Sequence, residues 1–212
     1  MSFFKNHHHL RSSKSVWSIF FIALSLLGAV GFAGVHSNKR FKAEKDGVEL
    51  LLNEAYVVRV LELISCSNQR VWVSMYVAKY QKERSYSVEN KLFKALVQAH
   101  ASGVDVRVLL DEGLEWDGKS GRMSNRRSSK NDDAIEYLLE QGVSVRLDSP
   151  EQIMHAKTII VDDHYAVVGS HNWTYSALSR NVETSVLLSR EPDVTPLAKA
   201  FEKQWSSGKN PH

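Results

Sequence analysis

Residues 155–172 read HAKTIIVDDHYAVVGSHN, and both the fold and the chemistry of the chain depend on how this stretch is folded. Ile159–Val161 and Ala166–Val168 are apolar, mostly β-branched runs separated by Asp162, Asp163, His164 and Tyr165. Apolar runs on either side of a turn-rich tetrad predict a β-hairpin. With Asp163 and His164 as the loop, Asp162 pairs with Tyr165, which sets His155 opposite Asn172 and Lys157 opposite Ser170. Side chains two residues apart share a face of a strand, so this register gathers an imidazole, an ammonium, a hydroxyl and a carboxamide. A slip of one residue would scatter them.

Such a group suits attack on phosphorus. A neutral imidazole is a nucleophile near neutral pH, and its protonated form can hand a proton to a leaving oxygen. Lysine and asparagine bring positive charge and N–H donors to the phosphoryl oxygens, where negative charge accumulates. None of these steps calls for a metal or another cofactor.

The spacing H-x-K-x4-D-x6-G-S-x-N, filled by His155, Lys157, Asp162, Gly169, Ser170 and Asn172, resembles the HKD signature of the phospholipase D superfamily. The likeness continues into Trp173–Ser176, Asn181–Glu183 and Gly103–Val108 and covers roughly Val48 to Trp205. It is nearest to the small endonucleases of that superfamily with one motif per chain. What the resemblance implies is an α/β fold, a phospholipase D/nuclease-like mixed sheet flanked by helices. It also implies a two-step reaction. His155 of one motif forms a phosphohistidine, and the histidine of a second motif protonates the leaving group. Lys157 and Asn172 then bind the phosphate, Ser170 supports it, Glu183 orients the histidine, and Asp162 is mainly structural, near the turn. Only one motif is present, so the implied enzyme is a homodimer with its site on the two-fold axis, where a symmetric interface brings equivalent residues face to face.

Competing readings of single residues are plainer. A histidine on a strand is usually packed or on the surface, which is the reading for His100, His164 and His171. Gly169-Ser170-His171 is not a G-x-S-x-G elbow, so a hydrolase serine is unsupported. Trp72 and Tyr76 read as core or sheet residues. Cys66 is the single cysteine, which excludes an internal disulfide or a cysteine-rich zinc site, and neither H-E-x-x-H nor a P-loop pattern occurs.

The chain has 212 residues with 43% hydrophobic content, enough for one domain, read as residues 46–212, and a short extension, residues 1–45. Within the extension, Val16–Val35 is an uncharged stretch of 20 residues, VWSIFFIALSLLGAVGFAGV, long enough to cross a bilayer as a helix. It outruns an ordinary signal-peptide core and reads as a retained single-pass anchor in a bacterial cell envelope. Gly31-Phe32-Ala33 is the alternative cleavage site, which would leave a secreted or periplasmic domain. Basic residues flank both ends, so charge does not orient the anchor.

All three excess positive charges, Lys5, Arg11 and Lys14, precede the apolar stretch, and the remainder is balanced. A neutral domain has no global field for a polyanion. It does have one basic segment, Lys119, Arg122, Arg126, Arg127 and Lys130, in Gly/Ser-rich sequence without acids. Its composition reads as a mobile loop, either simply solvated or placed near the site to contact phosphates of a nucleic acid without reading its bases.

Apolar spacing predicts a helix over Val48–Ser65, a strand over Val71–Val77, a helix over Asn90–Ser102 stopped by Gly103, and a strand over Val104–Leu110 ending at Asp111. A helix capped by Asn131 and ended by Gly142 follows, then a strand over Val143–Leu147, the hairpin, a strand over Val182–Leu188 and a last helix over Pro196–Trp205. The expected protein is a membrane-tethered, metal-independent phosphodiesterase, a nonspecific nuclease on DNA and, as a second polymer, RNA. Two alternatives stand beside it: a membrane phospholipase D that cleaves lipid headgroups, and a binding or assembly protein that keeps the fold without turnover.

Overall fold

The computed structural model describes residues 47–117, 122–149 and 153–211. Val16–Val35, read as an anchor, lies outside the described residues; among these, no helix is long and apolar enough to cross a membrane. The strands are β1 (Val48–Leu52), β2 (Arg70–Met75), β3 (Asp105–Leu110), β4 (Leu114–Asp117), β5 (Arg122–Arg127), β6 (Ser144–Leu147), β7 (Lys157–Val161), β8 (Tyr165–Gly169) and β9 (Thr184–Leu188). The helices are α1 (Ala55–Ser65), α2 (Val88–Ala101), α3 (Asp132–Glu140), α4 (Tyr175–Ser179) and α5 (Glu191–Ser207).

Seven strands form one sheet in the order β1-β9-β8-β7-β2-β3-β6. The β2, β3 and β6 strands run parallel, and the others join antiparallel. Parallel neighbours need a crossover, which α2 supplies between β2 and β3 and α3 between β3 and β6. The alternation of β2 decides which face is which. Val71, Val73 and Met75 face a core shared with Val60 and Ile64 of α1, Leu92 and Leu96 of α2, and Leu138 of α3. Trp72 points the other way, with Leu109 and Ile160, onto Val194 and Phe201 of α5. The expected mixed α/β sheet flanked by helices is therefore present.

Three expectations are corrected. Val48–Ser65 is a strand and a helix rather than one helix. Val48, Leu51 and Leu52 fit helical spacing, but Asn53 takes a left-handed conformation with φ 48° and ends the strand. Its side-chain oxygen accepts the Glu183 N–H at 3.0 Å, which ties the turn to the start of β9. Second, the basic segment is not wholly loop: Arg122–Arg127 pairs as β5 with β4 in a separate two-stranded ribbon. Third, the hairpin loop has three residues, because Val161 pairs with Tyr165, and the register is shifted by one from the expected pairing. Asp162 and Asp163 absorb the turn with φ 53° and 62°, a conformation that short polar side chains tolerate.

Candidate active site

The antiparallel β2–β7 pairing sets Lys157 opposite Met75, so the start of β7 lies at the carboxyl end of β2, next to the carboxyl end of β3. Carboxyl ends of parallel strands, where the sheet changes direction, are the usual place for a ligand. Here they carry Tyr76 and Asp111.

The shifted register does not scatter the expected group, because the chain leaves the ladder at Gly169. Trp173 bridges to Ala78 beyond the end of β2, and Asn172 Oδ1 accepts the Val77 N–H at 3.2 Å. Asn172 is thus carried across to the strand end next to which β7 begins. The departure requires glycine: a Cβ at position 169 would stand 2.5 Å from the Ser185 Cβ and as close to its backbone.

Tyr76 is the centre of the cluster. The His155 imidazole lies 4.4 Å from its ring, Lys157 Nζ 4.9 Å and Lys130 Nζ 3.7 Å. Lys157 is buried, at 8% exposure, and its ammonium donates to the His155 carbonyl at 2.7 Å. Lys130 Nζ pairs at 2.5 Å with Asp111 Oδ2, and Asp111 Oδ1 accepts the Met154 N–H at 2.8 Å. Asp111 therefore holds both a cation of the site and the backbone immediately before His155.

Burial lowers the His155 pKa below the usual imidazole value, and the charges of Lys157 and Lys130 push it the same way against Asp111. The shift favours the neutral form of the imidazole, the form that can attack phosphorus. Burial also lowers the Lys157 pKa; Glu183 opposes the shift and Lys130 adds to it.

The other expected residues divide into two groups. Ser170 and Glu183 are bonded to each other, Ser170 Oγ donating to Glu183 Oε2, and Asn181 donates to Glu183 Oε1 at 2.9 Å. Ser170 Oγ also accepts the Thr184 N–H at 3.0 Å. Within one chain Glu183 thus holds Ser170, while its charge is felt at Lys157. Asp162 lies at the far end of β7, where its carboxylate accepts the N–H groups of Asn68, Gln69 and Arg70 at 2.7–2.9 Å. Its carboxylate clamps the backbone that leads into β2.

Of the basic segment, Lys119 lies outside the described residues, and Arg122, Arg126 and Arg127 lie on β5. Lys130 is not a mobile surface cation but half-buried on Tyr76 and Asp111. Sequence reasoning passed over Tyr76 and Asp111 as functional candidates; the available signal was a polar residue just past the end of each buried parallel strand. Asn131 was expected to cap α3, yet its side chain makes no cap bond. Instead it accepts the Ala78 N–H at 2.9 Å and donates to the carbonyls of Tyr76 and Asp111, fastening the two strand ends together. His171 is packed, stacked on Tyr56 at 4.2 Å and bonded to Ser185 at 2.8 Å. Among the described residues, no group of three or more His, Cys, Asp or Glu side chains is arranged to hold a metal.

Comparison with known proteins places this geometry. A family model described as cardiolipin synthase, PLD-like domain, matches residues 60–205. The chain belongs to the phospholipase D-like family. Within that family it is 31% identical over 128 residues to a phospholipase D of Rickettsia prowazekii, covering 59% of this chain and 54% of the relative. It is 30% identical over 115 residues to the mitochondrial cardiolipin hydrolase of Homo sapiens, covering 54% and 40%. The chain thus spans about half the length or less of these curated relatives. Two solved folds are alike: Nuc, a phospholipase D family member from Salmonella typhimurium, with TM-score 0.60, 24% identity and coverage of 78% of this chain and 99% of that one. The other is NucT from Helicobacter pylori, with TM-score 0.56, 17% identity and coverage of 77% and 99%.

Proposed function

We propose that this phospholipase D-like protein is a metal-independent phosphodiesterase that cleaves polynucleotides, DNA first and RNA second, through a phosphohistidine on His155. The observation that carries the reading is the His155 imidazole set beside Tyr76 and Lys157 at the carboxyl end of β2, where Asn172 is tied to Val77. In the first step an imidazole nitrogen attacks phosphorus, a P–N bond forms and the P–O bond to the leaving group breaks. The departing oxygen takes a proton from the imidazolium form of His155 of the partner subunit, which becomes neutral. In the second step that histidine accepts a proton from water, the water oxygen attacks phosphorus, and the P–N bond breaks to free His155. Lys157 and Asn172 balance the charge that builds on the phosphoryl oxygens. Two copies of the chain complete the site, since one chain carries one motif.

The basic residues Arg122, Arg126 and Arg127 support a polyanionic substrate, held along its backbone. Phospholipid is the second reading, favoured by the names of the relatives above and by Val16–Val35 as an anchor that would hold the domain at a bacterial envelope. The test is hydrolysis of DNA, RNA and phospholipid vesicles in excess EDTA by the full chain and by His155→Ala. Polynucleotide cleavage lost in the variant and an acid-trapped phosphohistidine support the proposal; headgroup release alone overturns it in favour of the lipid. Mixing His155→Ala with Asn172→Ala chains tests the shared site, and an enzyme fully active as a monomer at high dilution overturns the dimer.

A further inference from the structure

Asn172 stands between two fully buried side chains, His171 and Trp173, each at 0% exposure. Both are fastened to one residue of α1. The His171 ring lies on the Tyr56 ring with centroids 4.2 Å apart and planes within 8°. On the other side of Asn172, Trp173 Nε1–H donates to the Tyr56 hydroxyl at 3.0 Å. The backbone of this stretch is fixed as well: the Trp173 N–H donates to the Val77 carbonyl at 2.9 Å, and the Trp173 carbonyl accepts the Lys79 N–H at 2.8 Å. Side chains two residues apart in an extended segment share a side. Burying His171 and Trp173 against Tyr56 therefore turns Asn172 the other way, toward Val77 and the end of β2.

The edges of the His171 ring are tied down too. Its Nε2 lies 3.1 Å from the Asn53 carbonyl, which can only accept, so in the neutral ring Nε2 carries the proton and Nδ1 accepts the Ser185 hydroxyl at 2.8 Å. The Asn53 N–H donates in turn to the Glu183 carbonyl at 3.1 Å, beside the bond from the Glu183 N–H to its side chain. Asn53 and Tyr56, three residues apart, thus hold both the stretch that carries Asn172 and the backbone of Glu183, whose carboxylate holds Ser170. With Asn172 Oδ1 committed to Val77, what the carboxamide offers a phosphoryl oxygen is its amide N–H groups.

We infer that Tyr56 is a positioning residue for phosphate recognition: with its ring on His171 and its hydroxyl on Trp173, it fixes the chain on both sides of Asn172 and so aims the amide N–H groups. The inference rests on the reading of Asn172 as a phosphate ligand and deepens it. A donor stabilises a transition state only as far as it is held in place beforehand. A displacement of about 1 Å in a positioned group can cost on the order of a hundredfold in rate. Core packing alone does not call for the hydroxyl, since an apolar pair of the same shape would fill the space at little cost in stability. Tyrosine suits the task because its ring and its hydroxyl reach two neighbours that flank a third residue, which phenylalanine cannot do.

The experiment is a double-mutant cycle on the full chain: wild type, Tyr56→Phe, Asn172→Ala and the double variant, each at a temperature where circular dichroism shows it folded. The substrate is bis(4-nitrophenyl) phosphate, a diester with neither base nor lipid, and binding of orthovanadate, followed by vanadium NMR, reads the same cycle without turnover. Tyr56→Phe keeps the ring on His171 and removes only the acceptor of Trp173. Its kcat and its vanadate affinity should each fall about tenfold, since a loosened donor costs less than the roughly hundredfold or more of a deleted one. KM should move by less than about twofold, because the interaction lost is one made in the transition state. In the Asn172→Ala background, Tyr56→Phe should change neither quantity by more than about twofold. A Tyr56→Phe enzyme equal to wild type, or one that loses the same factor in both backgrounds, overturns the inference while leaving the phosphodiesterase reading in place. If Tyr56→Phe fails to fold, Trp173→Phe removes the donor of the same bond and is judged by the same cycle. A wild-type chain that hydrolyses neither this diester, nor DNA, nor phospholipid removes the phosphodiesterase reading and the inference with it.

Discussion

Asp162 belongs to the sequence signature, yet it should govern stability and not chemistry. Five residue steps along β7 at about 3.4 Å each put it about 17 Å from Lys157, beyond reach of a phosphate held there. What it does hold is the start of β2, through the backbone N–H groups of Asn68, Gln69 and Arg70 at 2.7–2.9 Å, with its own N–H returned to the Arg70 carbonyl at 3.1 Å. A hydrogen bond to a charged group is worth about 1.5–3 kcal/mol, less where water can replace it, so Asp162→Ala should lose roughly 3–5 kcal/mol from the three bonds. The left-handed backbone adds about 1–2 kcal/mol for alanine, which lacks the polar side chain that eases this conformation. Asp162→Asn keeps that ease and one acceptor oxygen, and should cost about half as much. At about 2–4 °C per kcal/mol for a chain of this size, the alanine variant should melt roughly 8–28 °C below wild type. The assay is thermal unfolding followed by circular dichroism, paired with phosphodiesterase kcat/KM at a temperature where each variant is folded. Folded Asp162→Asn should retain kcat/KM within about threefold, or roughly 0.7 kcal/mol of barrier. A loss of two orders of magnitude in folded protein, or an alanine variant that melts with wild type, would refute the assignment.

Gly169→Ala should destabilise by about 1–3 kcal/mol through overpacking, because the new methyl meets the backbone and side chain of Ser185; a denaturant titration reads it directly. Lys130→Met leaves the fully buried Asp111 carboxylate without its cation and should cost about 3–5 kcal/mol. The same change removes a positive neighbour of His155, so the acid limb of the kcat/KM profile should move to higher pH, toward the ordinary imidazole value. For Asp148, burial first, then the charges of Asp111 and Glu112, raise the carboxyl pKa to about 6. A carboxyl with a raised folded-state pKa favours the fold fully below about pH 4, its ordinary unfolded value, and loses that contribution as pH rises through 6. Asp148→Asn, which keeps an acceptor for the Glu112 N–H, should therefore raise the melting temperature at pH 8 more than at pH 4.

How far the fold was legible follows from where one periodicity stood alone. Val104–Leu110 and Ile159–Val161 read as strands because β-branched runs bounded by turn residues leave no helical alternative. Val48–Leu52 fits both periods, and the deciding contact, β9, lies over 130 residues away in sequence, so local spacing could not expose the strand. The short ribbon of β4 and β5 was hidden for a different reason: its basic, glycine- and serine-rich composition is that of a solvated loop, and only pairing makes it regular.

The site shows the same division between local and distant causes. His155, Lys157, Ser170 and Asn172 could be named from spacing, but the predicted cross-strand register is not what sets their places. A flat hairpin in the predicted register would have gathered them by cross-strand pairing. The folded chain has the other register and still brings His155, Lys157 and Asn172 together, because Gly169 lets the strand pass tightly over Ser185 and turn toward Val77. The glycine of the signature is thus as necessary to the site as its histidine, although it contributes no chemical group. Tyr76, Asp111 and Lys130 were harder to see, since each acts through partners far away in sequence. Burial lowers the His155 pKa first, and the ammonium groups of Lys157 and Lys130, both over the Tyr76 face, push it the same way, while the buried Asp111 carboxylate paired with Lys130 opposes them. Lys130 is therefore better understood as part of the electrostatics of His155 than as one more cation in a phosphate-binding loop, a distinction the pH profile of Lys130→Met would expose.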